Sequence, residues 1–167
     1  MTLSHYTTPG LLIPRLRSRD AAAVIAELCS AMHREQRVEE LLPFYNDVIS
    51  RETLSSTVTA PGWAMPHARG KSLARLTFAI GLAAEPLPWY GDAGEPVSIV
   101  SLFAVPESET AAYLRLLSGF SRLSRDPLLV QRLLQASDRE AMFDLLQRIP
   151  LRQPRSAAAV LTKPGFP

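Results

Sequence analysis

The chain has 167 residues, 47% of them hydrophobic and 20% charged, the composition of one folded domain with a full core and not of a disordered segment. Eighteen basic against sixteen acidic side chains leave a formal charge of +2, too balanced to point to nucleic acid, and there is no lysine/arginine block or basic-aromatic interleaving. No apolar run reaches membrane-spanning length and the N-terminus has no signal-peptide pattern, so stable membrane insertion is not expected. A single cysteine, Cys29, cannot close an internal disulfide, and the expected setting is the reducing cytoplasm.

In chain order, residues 1–9 read as a loose leader, 10–150 as one domain and 151–167 as a flexible, proline-containing tail. Gly10 to Leu16 predicts a short strand that Pro14 confines to an edge. Asp20 is placed to cap a helix whose apolar stripe is Ala21, Val24, Ile25, Leu28, Cys29 and Met32. His33 at its tail reads as a surface or capping residue, and His5 in the leader has no assigned role. A second helix is expected over Glu39 to Leu54, its buried side made by Leu41, Leu42, Tyr45, Val48 and Ile49, with Pro43 tolerated in the first turn and Arg51-Glu52 near the end. The small, hydroxyl-rich Ser55 to Ala60 is either a plain linker or a segment bent back over a site.

Pro61 to Gly70, PGWAMPHARG, cannot be helical and reads as a shaped loop carrying His67. From residue types alone, His67 is equally a surface turn residue or a nitrogen for proton or phosphoryl transfer, with Arg69 beside it. Arg75 to Ala84 predicts a strand covered on both sides, and Pro96 to Val105 the strongest and most central strand. Between them lies a Pro/Gly loop whose Trp89 and Tyr90 are expected to lid the core. From Glu109 the period turns helical, with Leu114, Leu117, Phe120 and Leu123 as the buried stripe. Asp126-Pro127 and then Ser137 to Glu140 restart two further helices, the last ending near Ile149. The pattern predicts an α/β fold, a sheet covered by helices.

The run Arg51 to His67, RETLSSTVTAPGWAMPH, resembles the active-site segment of the fructose/mannitol type of enzyme IIA domain of the sugar phosphotransferase system, nitrogen-regulatory members included. Arg51, the Ser56-Thr57 pair, Gly62 and His67 fall at the family's spacing without a gap. The agreement continues through Glu85-Pro86-Leu87, Trp89, Gly94 to Val97, Val105-Pro106-Glu107 and the Arg125-Asp126-Pro127 junction, over about Leu11 to Ile149. The resemblance implies a three-layer sandwich, a mixed central sheet with helices on both faces, and a phosphoryl carrier rather than a turnover enzyme.

It further implies that His67 takes a phosphoryl group from an HPr-like phosphocarrier protein. Arg51 would be the charged partner, Ser56, Thr57 and Arg69 would support the phosphoryl oxygens, and neither metal nor cofactor takes part. For Arg51 the plain alternative is a helix-end arginine favoured by the dipole, and for Arg69 a contact to the carrier's surface. Two departures stand out. Tyr113 replaces a second histidine found in most sugar-transport members, and Ser55, Val58 and Ala60 replace loop glycines while Pro61 replaces an asparagine. Tyr113 can donate a hydrogen bond to a phosphoryl oxygen or pack, but cannot act as an imidazole. Its presence tilts the expectation toward a regulator acting through downstream protein targets. The alternatives are a sugar-transport component that passes the group to an EIIB domain, and a protein-binding module that is never phosphorylated.

Overall fold

The computed structural model describes residues 1–91 and 96–153. The sequence-predicted tail from 154 onward and the Gly94-Glu95 part of the resemblance lie outside them. Strands β1 (Leu12–Ile13), β2 (Val58–Ala60), β3 (Trp63–Ala64), β4 (His67–Gly70), β5 (Thr77–Leu87) and β6 (Val97–Pro106) form one six-stranded sheet in the order β1-β5-β6-β3-β2, with β4 also paired to β6. The sheet is mixed. β1 runs parallel to β5, and β3 and β4 run parallel to β6, whereas β5–β6 and β2–β3 are antiparallel. The strand read as central, β6, is the one that β5, β3 and β4 all bond to.

Strand alternation divides the core between the two faces. Phe78, Ile80 and Leu82 of β5 and Ile99, Phe103 and Val105 of β6 face helices α3 (Thr110–Arg125), α4 (Pro127–Leu134) and α5 (Arg139–Gln147). Ala79 of β5 and Val100, Leu102 and Ala104 of β6 face α1 (Ala21–Arg34) and α2 (Leu41–Leu54). The architecture is therefore the expected three-layer α/β sandwich. Asp20, Asp126 and Asp138 accept hydrogen bonds from backbone N–H groups in the first turns of α1, α4 and α5. Cys29 is wholly buried in α1, and burial pushes its thiol up to about 12.

Four sequence readings change. Residues 1–9 are not loose. Leu3 is fully buried, its N–H donates to the Ile149 carbonyl at 3.0 Å, and Leu151 N–H donates to the Met1 carbonyl at 2.8 Å. Gly119 makes this seat possible, since a Cβ there would stand 2.6 Å from Leu151 Cδ2 and 2.9 Å from Leu3 Cδ2. Leu3, a lone apolar residue without periodic companions, carries no signal of this in the sequence.

Pro61 to Gly70 is not a loop throughout, because β3 and β4 lie within it as sheet strands. Pro66, between them, lacks an N–H, yet its carbonyl accepts from Phe103 N–H at 3.0 Å, so the contact with β6 continues past it. In α2 the buried residues are Phe44, Val48 and Glu52, while Leu42 is 66% exposed. In α3 they are Tyr113, Leu116, Gly119, Phe120 and Leu123, with Leu114 61% exposed. Each stripe was misread at a position where a polar or amphipathic residue, Glu52 or Tyr113, takes a core place.

Candidate functional site

His67 opens β4, opposite Phe103 in register, and is half-buried. Strand alternation puts Met65 on the α3 face and Ala64 and Ala68 on the other, and His67 shares the α3 side with Met65. Its ring centroid lies 6.0 Å from that of Tyr113 at an interplanar angle of 47°, and Tyr113 in turn stands edge-on to Phe103 at 5.8 Å. Arg69, two residues along the same strand, donates to Thr110 Oγ1 at 2.7 Å and so is tied to the first turn of α3. Arg51, in the last turn of α2, donates to the Ser55 carbonyl at 2.9 Å. Both arginines bring positive charge to bear on His67.

The electrostatics favour a neutral imidazole. Burial lowers the His67 pKa below its usual value, and the Arg51 and Arg69 charges lower it further, while the Met65 carbonyl and the Glu52 carboxylate work the other way. Nδ1 lies 3.3 Å from the Met65 carbonyl. A carbonyl only accepts, so Nδ1 carries the ring proton and Nε2 keeps its lone pair. Tyr113 is pushed up to about 12 by burial, the two arginines opposing, and stays a neutral hydroxyl.

Because each arginine depresses the histidine, Arg51→Met should move the His67 titration midpoint upward, toward the ordinary histidine range. An NMR titration of the ring protons reads this directly, and an unchanged or lowered midpoint would place Arg51 outside the site.

Ser56 is half-buried and its Oγ accepts from Val58 N–H at 3.4 Å, leaving its own proton undirected among the described residues. Thr57 is otherwise engaged. Its N–H and O–H both donate to Glu52, at 2.8 and 2.9 Å, and its Oγ1 accepts from Met65 N–H at 3.0 Å. The hydroxyl expected to meet phosphoryl oxygens is thus spent inside the protein. Glu52 itself is the residue that sequence reasoning missed. It is fully buried and also accepts from the Trp89 indole N–H at 2.8 Å. Trp89 does lid the core, and it also donates to the site's buried acid.

The lost loop glycines are accounted for by geometry. Ser55 has an extended φ of −159°, and Val58 to Ala60 form β2, where side chains are welcome. The left-handed turn falls on Gly62, at φ 74°, a glycine the sequence keeps.

The family model described as "Phosphoenolpyruvate-dependent sugar phosphotransferase system, EIIA 2" matches residues 6–149. The chain is 25% identical over 150 residues to a nitrogen regulatory protein of Bradyrhizobium diazoefficiens, covering 90% of this chain and 97% of that protein. It is 23% identical over 148 residues to the fructose-specific EIIABC component of Bacillus subtilis, covering 89% of this chain but only 23% of that longer protein. The crystal structure of the nitrogen regulatory protein IIA-Ntr from Neisseria meningitidis superposes with a TM-score of 0.78 at 22% identity, over 86% of this chain and 98% of that one, a likeness of fold.

Proposed function

The chain belongs to the phosphoenolpyruvate-dependent sugar phosphotransferase system EIIA 2 family, and on that premise we propose that it is a phosphoryl-accepting regulator modified on His67. The observation that carries this reading is the ring itself: Nδ1–H held on the Met65 carbonyl, Nε2 with its lone pair, and two arginines close enough to depress the pKa. An HPr-like phosphocarrier presents a phosphohistidine. His67 Nε2 attacks the phosphorus, the new N–P bond forms as the carrier's N–P bond breaks, and the electron pair returns to the carrier's nitrogen. The His67 ring becomes cationic, and its Nδ1–H stays on the Met65 carbonyl, which favours that charge.

Arg51 and Arg69 supply positive charge to the equatorial oxygens of the moving group. Ser56 and Tyr113 would add O–H donors, and the neutral state of Tyr113 leaves its proton available for that purpose. Thr57 acts from behind, by holding Met65. The absence of an imidazole at Tyr113 and the likeness to nitrogen regulatory proteins favour an output through protein contacts over onward transfer to an EIIB domain. No helix among the described residues is long and apolar enough to cross a membrane.

The test is incubation with phosphoenolpyruvate, enzyme I and the host's carrier proteins, followed by intact mass. One acid-labile phosphoryl group per chain is expected. Acceptance should persist at pH 6.5, where an ordinary histidine is half protonated, and fall only as the pH drops through the depressed His67 value. No label with any native carrier would overturn the reading.

A further inference from the structure

Glu52 sits in the last turn of α2, next to Arg51, and its side chain has no exposed surface. A buried carboxylate is unfavourable unless donors surround it. Here every partner found among the described residues is a donor: Thr57 N–H at 2.8 Å, Thr57 O–H at 2.9 Å to each oxygen, and the Trp89 indole N–H at 2.8 Å. From this anchor the bonds run in one direction. Thr57 Oγ1 accepts from Met65 N–H at 3.0 Å, and the Met65 carbonyl accepts from His67 Nδ1–H at 3.3 Å.

Glu52 thus fixes the direction of the Thr57 hydroxyl. With its proton committed to the carboxylate, the Thr57 oxygen must present a lone pair toward Met65. Met65 is then held at its N–H while its carbonyl faces the imidazole. The segment between α2 and β3 is held to α2 by these same bonds.

We infer that Glu52 is the positioning residue of this site, setting through Thr57 and Met65 the ring orientation and tautomer that leave His67 Nε2 free to react. Trp89 completes the device. Its indole is the third donor on the carboxylate, so the loop after β5 helps hold the acid in place. Glu52 also favours the protonated ring through space, opposite in sign to Arg51 and Arg69, so the same residue sets both the geometry and the charge balance at His67. This rests on the reading of His67 as the phosphoryl acceptor, but its signature lies in the free protein and needs no carrier.

The test compares Glu52→Gln, Thr57→Val and Thr57→Ser with the full-length parent. Ring nitrogen NMR reports the His67 tautomer, an NMR titration its midpoint, and carrier-driven labelling its reactivity. In Thr57→Val the link to Met65 is cut while Glu52 stays in place. The ring signals are expected to move from a single Nδ1–H form to a tautomer mixture, and acceptance to slow by about 10- to 100-fold. Thr57→Ser restores the hydroxyl and should restore both. In Glu52→Gln the negative charge is gone and the His67 midpoint should fall, the opposite of the Arg51→Met shift.

Variants that unfold cooperatively yet keep the parent's ring signals, midpoint and labelling rate would overturn the inference. If Glu52→Gln does not fold, the Thr57 pair decides the question alone. If the parent takes up no phosphoryl group while the ring signals of Thr57→Val still move, the positioning role stands and the functional reading fails. Normal labelling with unmoved ring signals has the reverse meaning.

Discussion

His67→Ala is expected to take up no phosphoryl group under conditions that label the parent protein fully, while still unfolding in one cooperative transition. The loss should be complete because no other imidazole can replace the ring. His5 is exposed in the N-terminal turn, its ring 5.1 Å from that of Tyr6. His33 is exposed at the end of α1, with Nδ1 3.0 Å from the Val38 carbonyl. Tyr113 is the nearest aromatic hydroxyl, but with its pKa pushed up to about 12 it is not a nucleophile at neutral pH. The fold should survive because His67 is half-buried at the start of a short strand and the neighbouring core residues, Met65 and Ala68, are untouched. Intact mass after carrier-driven labelling checks the first part and urea unfolding the second. Label on His67→Ala at the parent's level would remove the histidine from the chemistry.

The largest effect on stability is expected from Phe120→Ala. Phe120 is fully buried on α3, and its ring stands edge-on to Phe78 at 4.9 Å, Phe103 at 5.0 Å and Trp63 at 6.1 Å. It is the hub of an aromatic cluster joining α3 to β5, β6 and β3. Removal takes away the transfer free energy of a large side chain, leaves a cavity that rigid rings cannot collapse into, and abolishes the edge-to-face contacts together. The expected cost is about 3–5 kcal/mol, a large part of the ~5–15 kcal/mol that holds a typical domain. A urea titration should show a lower midpoint with an unchanged slope. A loss below about 1 kcal/mol would mean the cluster repacks and is not the keystone of that face. Trp63 begins β3, two residues before Met65, so the variant should also loosen the strand that leads to His67.

Periodicity carried most of the fold. The alternation in β5, the continuous apolar run of β6 and the Asp20, Asp126-Pro127 and Asp138 caps were readable because each signal is local. What was not readable depended on distant partners. Leu3 gives no local sign of its seat against Gly119 and Leu151, and β3 and β4 hide among prolines and a glycine that usually mark loops. At the site, the spacing picked out Arg51 and His67, and the structure brings the Arg51 charge to bear on the His67 ring. Glu52 was not, since a glutamate in a helix's last turn ordinarily points to water. Its burial depends on Trp89, 37 residues away, and on a threonine whose hydroxyl was expected to face outward. The hydroxyl of Thr57 and the carboxylate of Glu52 each made sense only once the other was in place. Tyr113 was read as a site residue, and its place in the buried stripe of α3 was missed.

The central claim is that this ring reacts through Nε2, with Nδ1–H retained on the Met65 carbonyl. Phosphorylate the protein through its carrier, keep it at alkaline pH, and record phosphorus–nitrogen correlated NMR on ring-labelled histidine. One phosphoryl group on Nε2 of His67, with Nδ1 still bearing its proton, is the predicted result. A phosphoryl group on Nδ1, or on any residue other than His67, would contradict the account.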